Sequence, residues 1–486
     1  MSWNQLLTVA LFISQFQNIP VQLKTLVTDI YVVAGQENIK AVWKEPNLHV
    51  RPYKELAVIT MAKMPKETLE FWKWDDSGHH AQPHPDSNVP PHLRVDYLTH
   101  SSVARLLTGP GLKPLTDRFT KNLMLRLSKS EYLNQEWSEL PDLFAFMQQQ
   151  LFPAAVEAMC GELIFSVNPK FVGDFWAFNK GLPYLAKGYP RWMVPSAYRA
   201  RDTVLNGLKK WHLAIASKLK CPPIAMDEWS PDFGVELVRF RHDAWSKMPL
   251  MNEDAAATED LGMIWAANGN SIPSSFWMIA EVVRDADLLR QVRAAVAKYV
   301  RVSEHEGLDF DYERLCNDPL LQSVYAETLR LHVASFIFRG SDRKDFDLNG
   351  WRIPRDAPIL VSGHDAQMDP DVWTPKDKPH RRPIHQFWPE RFLLGPTAQA
   401  KGTAPDFSFK GLGNSWLPYG GGNRMCPGRH FAKQEMVSSL AMILTLFDIE
   451  MVNPKGKIPE NDLVGYGFGA LWPKQPMPVR LLRRKA

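Results

Sequence analysis

The chain has 486 residues, of which 45% are hydrophobic and 23% are charged, as is ordinary for a large globular protein. It contains 57 Lys and Arg against 53 Asp and Glu, and the resulting net charge of +4 is too balanced to favour a nucleic-acid partner. The four cysteines form no CxxC pair and are too widely spaced for a disulfide framework, which indicates reduced thiols in a reducing compartment.

The N-terminal segment 1–29 is predicted to stand apart from the rest of the chain. Its apolar run, Leu6 to Phe16, is shorter than the ~20 residues that a membrane-spanning helix needs. It also lacks the basic flank and small-residue cleavage site of a signal peptide. We interpret it as an interfacial segment or a truncated anchor, followed by a single domain over residues 30–486 that opens with a short strand at Ile30–Gly35.

The middle of the chain is predicted to be helical. From about Thr116 to Lys220, apolar residues recur at intervals of three and four. The clearest long helix runs from about Glu253 to Asp285, and another covers Asp287–Val300. A further helix, Asp318–His332, begins with an Asp-Pro pair that is typical of an N-cap followed by the first helical position.

Before and after this helical region the pattern is different. The segment Asp75–Pro91 is rich in Pro, Asp, Ser and His, which predicts a solvated loop rather than a zinc site. Asn349-Gly350 predicts a β-hairpin, and a last helix is expected from Gly428 to about Phe447. The fold class that follows is mainly α with a minor β lobe.

One cysteine lies in a loop with unusual chemistry. Residues 416–435 read WLPYGGGNRMCPGRHFAKQE, in which three glycines allow backbone conformations that are closed to other residues. Cys426 comes just before an amphipathic helix, where the positive field of the helix N-terminus is expected to lower its thiol pKa. Backbone N–H groups of the turn are also expected to donate to the sulfur, an environment that suits a bond between iron and a thiolate.

This loop resembles the haem-binding signature of the cytochrome P-450 family, F-x-x-G-x-R-x-C-x-G. Tyr419 stands at the Phe position, and the other signature positions match in register at Gly422, Arg424, Cys426 and Gly428. The resemblance implies the P-450 fold and haem b as the cofactor. It further implies Cys426 as the axial ligand of the iron, Arg424 as a partner of a haem propionate, and Tyr419 and Gly422 as parts of the cofactor loop.

Two distant motifs resemble the same family. Glu327-Thr-Leu-Arg330 places a Glu and an Arg on one helix face, and the segment around Arg391 reads P-E-R-F. The resemblance implies that Glu327, Arg330 and Arg391 form a buried structural triad beside the haem. It also implies that Arg339 contacts a propionate.

The long helix is predicted to kink. Residues 265–277 read WAANGNSIPSSFW, and Pro273 has no N–H to offer to the carbonyl of Gly269, four residues earlier. The resemblance identifies this spot with the family's oxygen-binding groove, where an acid and a Thr usually stand. Asn270 and Ser271 align with them and are the catalytic candidates. Ser271 retains a hydroxyl that can relay a proton, but Asn270 cannot act as an acid.

The A-N-x-x-P form of this helix resembles the branch that contains sterol 7α-hydroxylases and prostacyclin synthase. The segments Leu107–Phe119 and Pro190–Met193 suggest the same branch. One family element is degraded, since Ser101 stands at the Trp position of the helix motif W-x-x-x-R and Arg105 at its Arg position.

Together, these resemblances imply a monooxygenase that inserts one oxygen atom from dioxygen into a hydrophobic small molecule such as a sterol, terpenoid or other secondary metabolite. They imply an NADPH-dependent P-450 reductase as electron donor and a monomer in peripheral contact with the cytoplasmic face of the endoplasmic reticulum membrane. By position, Val333, Ala334 and Ile337 are expected to line the substrate pocket. Two alternatives remain open: a reductase-independent isomerase or dehydratase acting on a peroxide, and a non-catalytic haem-binding protein. The hydroxyl of Ser271 favours oxygen activation.

Overall fold

The computed structural model describes residues 21–24, 29–45, 48, 62–132, 134–218, 229–303, 307–341, 344–355, 357–374, 382–394, 405–453 and 456–484. The apolar run predicted at Leu6–Phe16 and one of the four cysteines, Cys221, lie outside these residues. Within them, no helix is both long and apolar enough to cross a membrane.

Helices make up most of the described chain. Their bounds are α1 Gln36–Lys44, α2 Lys66–Trp74, α3 Val95–Thr108, α4 Leu112–Ser128, α5 Leu143–Cys160, α6 Leu163–Val167, α7 Phe171–Ala186, α8 Pro195–Lys218, α9 Glu236–Ser246, α10 Glu253–Asn268, α11 Ser271–Val283, α12 Ala286–Ala297, α13 Tyr312–Asn317, α14 Pro319–His332, α15 Gly363–Gln367, α16 Pro370–Trp373 and α17 Arg429–Leu446.

The strands are short. Their bounds are β1 Val21–Lys24, β2 Asp29–Val33, β3 Ser138–Leu140, β4 Val300–Ser303, β5 Gly307–Phe310, β6 Val333–Arg339, β7 Phe346–Leu348, β8 Trp351–Ile353, β9 Ile359–Ser362, β10 Leu393–Leu394, β11 Asp406–Phe407, β12 Phe447–Met451, β13 Asn461–Asp462, β14 Phe468–Ala470, β15 Trp472–Pro473 and β16 Val479–Arg483.

Several element boundaries follow from local chemistry, as predicted. The carboxylate of Asp318 accepts hydrogen bonds from the N–H groups of Leu320 and Leu321, at 3.0 and 3.2 Å, and so caps α14. Asn349 and Gly350 have φ of 50° and 87°, the left-handed conformations that a two-residue turn between β7 and β8 requires. The predicted helix after Gly428 is α17.

The largest sheet has the strand order β1-β2-β9-β6-β14. β2 and β9 are parallel, and the other neighbours are antiparallel. The strand predicted at Ile30–Gly35 is β2, which is followed by Gly35 at φ 80°. A short strand precedes it, because β1 pairs with β2 from Val21 to Lys24. The segment set apart from the sequence therefore contributes an edge strand to the domain.

The two most deeply buried helices near the predicted site are α11 and α17, the last long helix. Every residue of α11 is buried, and α17 is buried continuously from Glu435 to Leu444. The long helix predicted over Glu253–Asp285 is interrupted, because α10 ends at Asn268 and α11 begins at Ser271. The interruption falls at the kink predicted from Pro273, and it places two helix ends inside the protein.

Candidate functional site

The cysteine loop is held in shape by its own backbone. Gly420 and Gly422 have φ of 71° and 66°, conformations that favour glycine. The N–H of Cys426 donates to the carbonyl of Tyr419 at 3.0 Å, which closes the loop just before α17. A Cβ added to Gly428 would lie 3.7 Å from the sulfur of Cys426 and 3.6 Å from Leu107. The sulfur therefore lies directly beside the first turn of α17.

Opposing effects act on the pKa of the Cys426 thiol. Burial raises it, while the N–H groups of Gly428 and Arg429 and the charge of Arg429 lower it by a smaller amount. The expectation of a lowered pKa is wrong as a net effect, because desolvation of the thiolate outweighs the donors of the helix N-terminus. The two predicted N–H donors are nevertheless present, and they are the groups that would stabilise a metal-bound thiolate.

Tyr419, which stands at the Phe position of the signature, makes a hydrogen bond that a Phe could not make. The hydroxyl of Tyr325, on α14, donates to the hydroxyl of Tyr419 at 2.7 Å. Burial raises the pKa of both phenols, so both stay protonated. A Phe at position 419 would leave the Tyr325 hydroxyl without this partner, which explains why a Tyr is accommodated here.

Arg339 and Arg424 come together behind the loop. Arg339 donates to the carbonyl oxygens of Phe338 and Gly421, at 2.7 and 2.8 Å. Burial and the neighbouring charge of Arg424 lower the pKa of Arg339 to about 10. Arg424 makes an ion pair with Asp96 at 3.2 Å. Two guanidinium groups with one nearby carboxylate leave an excess of positive charge, as an anionic ligand requires.

Unused donors surround this pair of arginines. Nε of Arg424 and Nε1 of Trp43 are buried donors without a hydrogen-bond partner among the described residues, and Nε2 of His79 is a third buried polar atom without one. Trp43 lies so close to Gly421 that a Cβ there would be 2.6 Å from its ring. Acceptor oxygens of a carboxylate would satisfy the donors of Arg424 and Trp43. The residues present therefore fit the propionate groups of a haem.

The histidine-rich loop is largely exposed, as predicted, but Nε2 of His79 is buried. Burial, followed by the charge of Arg424, lowers the pKa of His79 to about 3, so the imidazole is neutral and close to the arginine pair. By contrast, Arg105, at the degraded helix motif, is an exposed side chain that pairs with Glu236 on α9 at 3.1 Å. His79 therefore lies near Arg424, whereas Arg105 points to α9.

The structure brings the predicted triad together. Arg330 donates to both carboxylate oxygens of Glu327, at 2.7 and 2.9 Å, and Arg391 donates to the same carboxylate at 3.3 Å. All three side chains are almost completely buried. The carboxylate also accepts from the N–H of Trp388 at 3.0 Å, so it ties α14 to the P-E-R-F segment. Breaking such a buried network would leave a charge unpaired inside the protein, so the network holds the P-E-R-F segment against α14.

Asn270 and Ser271 lie together at the helix interruption but have different partners. The side-chain oxygen of Asn270 accepts from the N–H of Ala470 at 2.9 Å and so joins the interruption to β14. The hydroxyl of Ser271 donates to the carbonyl of Ala267 at 2.9 Å. Asn270 therefore holds a strand in place, while Ser271 remains the hydroxyl at the gap.

The structure adds an acid that the sequence did not indicate. Glu435, on α17, is 2% exposed and lies near the hydroxyl of Ser271, which lowers the pKa of its carboxyl by less than burial raises it. Burial raises its pKa to about 8, so the carboxyl is largely protonated at neutral pH. Its Oε2 has no hydrogen-bond partner among the described residues. The protonated carboxyl of Glu435 thus lies near the Ser271 hydroxyl at the interruption between α10 and α11, whereas the amide of Asn270 cannot act as an acid.

A cavity of about 500 Å³ opens at the same interruption. Gly269 and Asn270 form part of its wall, and its aromatic lining residues are Phe144, Trp176, Trp265, Phe468 and Trp472. Its size is that of a site for a small organic molecule. Val333, Ala334 and Ile337 lie on β6 as buried residues and do not line this cavity, so their contact with a substrate stays a prediction.

The mainly helical fold, with a cysteine loop at the start of its last long helix, defines the class of haem-thiolate oxidoreductases. Residues 182–479 match the family model of cytochrome P450. Cytochrome P450 monooxygenase fsoE of Humicola fuscoatra is 34% identical, over 96% of this chain and 82% of its own length. The chain therefore belongs to the cytochrome P450 family, whose members hold a haem through a cysteine thiolate.

Two further relatives confirm the branch. Cytochrome P450 7A1 of Oryctolagus cuniculus is 27% identical, over 76% of this chain and 72% of its own length. Prostacyclin synthase of Rattus norvegicus is 30% identical, over 59% of this chain and 58% of its own length. The expected enzyme class, a cytochrome P450 oxidoreductase, is confirmed with the family.

Proposed function

We propose that the chain is a haem-thiolate monooxygenase that oxidises a hydrophobic small molecule, with Cys426 as the axial ligand. The observation that carries this proposal is the placement of the Cys426 sulfur at the start of α17, next to the backbone N–H groups of Gly428 and Arg429. Haem b, when bound, supplies dioxygen activation and oxygen insertion into a C–H bond. Arg424 and Arg339 would bind its propionates.

Ser271 and Glu435 are proposed to deliver protons. The carboxyl of Glu435 holds a proton near neutral pH, and the Ser271 hydroxyl next to it can accept one hydrogen bond while donating another. In this route the Ser271 hydroxyl would leave the carbonyl of Ala267 and give its own proton into the gap, while its Oγ takes the proton of the Glu435 carboxyl, which is left as a carboxylate until it is reprotonated. This route replaces the acid that Asn270 lacks.

The aromatic cavity supports a hydrophobic substrate, which we place among sterols, terpenoids or other secondary metabolites. Its volume and lining suit a rigid molecule with few polar groups. Electrons would come from NADPH through a P-450 reductase.

We further propose that the enzyme contacts the cytoplasmic face of the endoplasmic reticulum membrane. Trp192 is 81% exposed and Met193 and Leu463 are also exposed, an unusual set of apolar side chains for a surface. Lys187 donates to the carbonyl of Val464, which brings the Leu463 segment to the end of α7, close in sequence to Trp192. Large apolar side chains near a Lys suit a membrane interface.

The test is the absorption difference spectrum of the reduced protein with carbon monoxide. Wild type should show the red-shifted Soret band of thiolate-ligated haem, and Cys426→Ala should lose it. Cys316→Ala is the matched control, since Cys316 is a buried thiol whose pKa is raised to about 11 by burial, and this variant should keep the band. A wild-type protein without haem, or a Cys426→Ala protein with an unchanged band, would contradict the proposal.

A second candidate is a reductase-independent isomerase of the kind that prostacyclin synthase represents, and the similarity to that enzyme favours it. Such an enzyme needs neither external electrons nor a proton relay. Turnover of a peroxide without reductase, unaffected by Ser271→Ala, would support this candidate over the monooxygenase.

A further inference from the structure

A carboxylate lies against the arginine of the cysteine loop. Oδ2 of Asp96, in the first turn of α3, accepts from Nη2 of Arg424 at 3.2 Å. Both side chains are largely buried, with 25% of the Asp96 side chain and 14% of the Arg424 side chain exposed. Arg424 lies two residues before Cys426 in the chain, so this ion pair ties α3 to the loop that carries the proposed iron ligand.

A buried network holds Asp96 in this position. Its backbone N–H donates to Oδ2 of Asp75 at 3.1 Å. Asp75 is 3% exposed, and its other carboxylate oxygen accepts from the hydroxyl of Ser77 at 2.6 Å. Arg94, which is also buried, donates to the same hydroxyl at 3.0 Å and to the carbonyl of Ala81 at 2.9 Å. The start of α3, and with it Asp96, is therefore anchored inside the protein.

The helix favours a negative charge at this place. Asp96 is the second residue of α3, where the N–H groups of the first turn and the helix dipole stabilise an anion. The guanidinium of Arg424 stabilises the same charge through the ion pair. Asp96 therefore lies beside Arg424 as a carboxylate.

The same helix directs its own arginine elsewhere. Arg105, at the Arg position of the degraded motif, pairs with Glu236 on α9 at 3.1 Å, and Ser101 stands at the Trp position. The contribution of α3 to the arginine pair of the cysteine loop is thus a negative charge from Asp96.

The balance of charge shows what this carboxylate does once a cofactor with two propionates is bound. Arg339 and Arg424 carry two positive charges, which the two propionates balance. The charge of Asp96 is then in excess, and this set of groups is negative as a whole. A negative charge opposes the addition of an electron nearby, because reduction brings a second negative charge close to it.

We propose that Asp96 is a positioning residue for the haem: its carboxylate holds the guanidinium of Arg424 in place for a propionate, and its surplus charge makes the haem harder to reduce. This role concerns electron uptake and not the bond between iron and sulfur, so variants of Asp96 should keep the thiolate band. The inference rests on the proposed function, since it takes Arg424 as a partner of a propionate.

The experiment measures the reduction potential of the haem-loaded protein, by titration with dithionite in the presence of redox dyes and detection by absorption. Asp96→Asn keeps the size of the side chain and the backbone bond to Asp75 but removes the charge. At a fixed solution potential, its ratio of reduced to oxidised haem should be about 3- to 10-fold that of wild type, a shift of about 30 to 60 mV at 59 mV per tenfold. Asp96→Glu restores the carboxylate and should stay within about twofold of wild type.

Glu236→Gln is the matched control, because it removes a carboxylate that pairs with the other arginine of interest, Arg105 on α3, and it should leave the potential unchanged. The inference is overturned if Asp96→Asn has the potential of wild type, if Asp96→Glu shifts as far as Asp96→Asn, or if Glu236→Gln shifts equally. A bound haem that lacks the thiolate band, but whose potential still responds to Asp96→Asn, would overturn the proposed function alone. A wild type that binds no haem would overturn both.

Discussion

At the scale of single residues, the hydroxyl of Ser271 lies between the carbonyl of Ala267 and the carboxyl of Glu435. It donates to the carbonyl of Ala267 at 2.9 Å, one turn earlier, a bond that would break when its hydrogen is passed into the gap. Its oxygen lies near the carboxyl of Glu435, and in the proposed route it would accept the proton of that carboxyl. The hydroxyl is therefore both part of the helix end and the last protein atom of the proposed proton route.

We expect Ser271→Ala to separate electron consumption from product formation. Without Oγ, the proton held at Glu435 has no hydroxyl to pass through, so the fraction of NADPH that yields product should fall by about tenfold or more, and hydrogen peroxide should rise. The measurement compares NADPH consumed, peroxide released and product formed in the reconstituted system.

Ser275→Ala provides the matched control. Its hydroxyl donates to the carbonyl of Ser271 at 2.8 Å, one turn further along α11, and is equally buried. This variant should keep the coupling of wild type. Equal coupling in Ser271→Ala and wild type would remove Ser271 from the proton route.

At the scale of elements, the gap between α10 and α11 is held open partly by a strand. The oxygen of Asn270 reaches β14, where it accepts from the N–H of Ala470. A Cβ added to Gly469 would lie only 2.1 Å from that oxygen, and Gly469 has a φ of 126°. The strand can approach the helix end this closely only because Gly469 has no side chain. Asn270 therefore acts as a clamp between two elements of the site.

We expect Gly469→Ala to lower the free energy of unfolding by about 2 to 3 kcal/mol, since it combines a strained backbone with a clash against Asn270. Thermal unfolding is the measurement. Gly465→Ala is the matched control, because a Cβ there would meet only Leu471, at 3.9 Å, and it should be nearly neutral. Adding Asn270→Ala to Gly469→Ala should recover part of the loss by removing the clashing oxygen, and an additive result would contradict the clamp.

The elements also show what the sequence alone could reveal. Pro273 predicted the interruption and Asn349-Gly350 the hairpin, because such features depend on residues within one turn of the chain. The contact of Glu327 with Arg391 was predicted from motif resemblance alone. Helical periodicity shows which face of a helix is buried, but not which side chain of a distant element meets it.

Glu435, Asp96 and His79 were missed for that reason. Each is a polar residue in a segment where polar residues are usually solvated. Each becomes informative only when the fold shows that it lies near Ser271 or Arg424. Cys426 could be proposed as the iron ligand because a contiguous signature surrounds it, whereas the residues around it could not be predicted in this way.

At the scale of the whole molecule, burial of Glu435 links stability to pH. Its pKa is raised from the ordinary 4.5 to about 8 in the folded protein, so the folded state binds a proton that the unfolded state has already lost between these values. The unfolding free energy therefore falls as pH rises through this window, and levels off above pH 8. The opposite effect comes from His79, whose pKa is lowered to about 3, but it acts only below the ordinary value of 6.5.

The range from pH 6.5 to 8 therefore isolates Glu435 from His79. Over these 1.5 units, the extra proton of the folded state corresponds to about 1.7 kcal/mol, because the folded carboxyl is half ionised at pH 8, so wild type should lose that much unfolding free energy relative to Glu435→Gln. Urea denaturation of the haem-loaded proteins at the two pH values measures the difference. Glu450→Gln, which removes a half-exposed surface partner of Arg480, should follow the wild-type slope. If Glu435→Gln followed it too, the buried carboxyl would already be ionised at pH 6.5, and it could not hold the proton that Ser271 is proposed to relay.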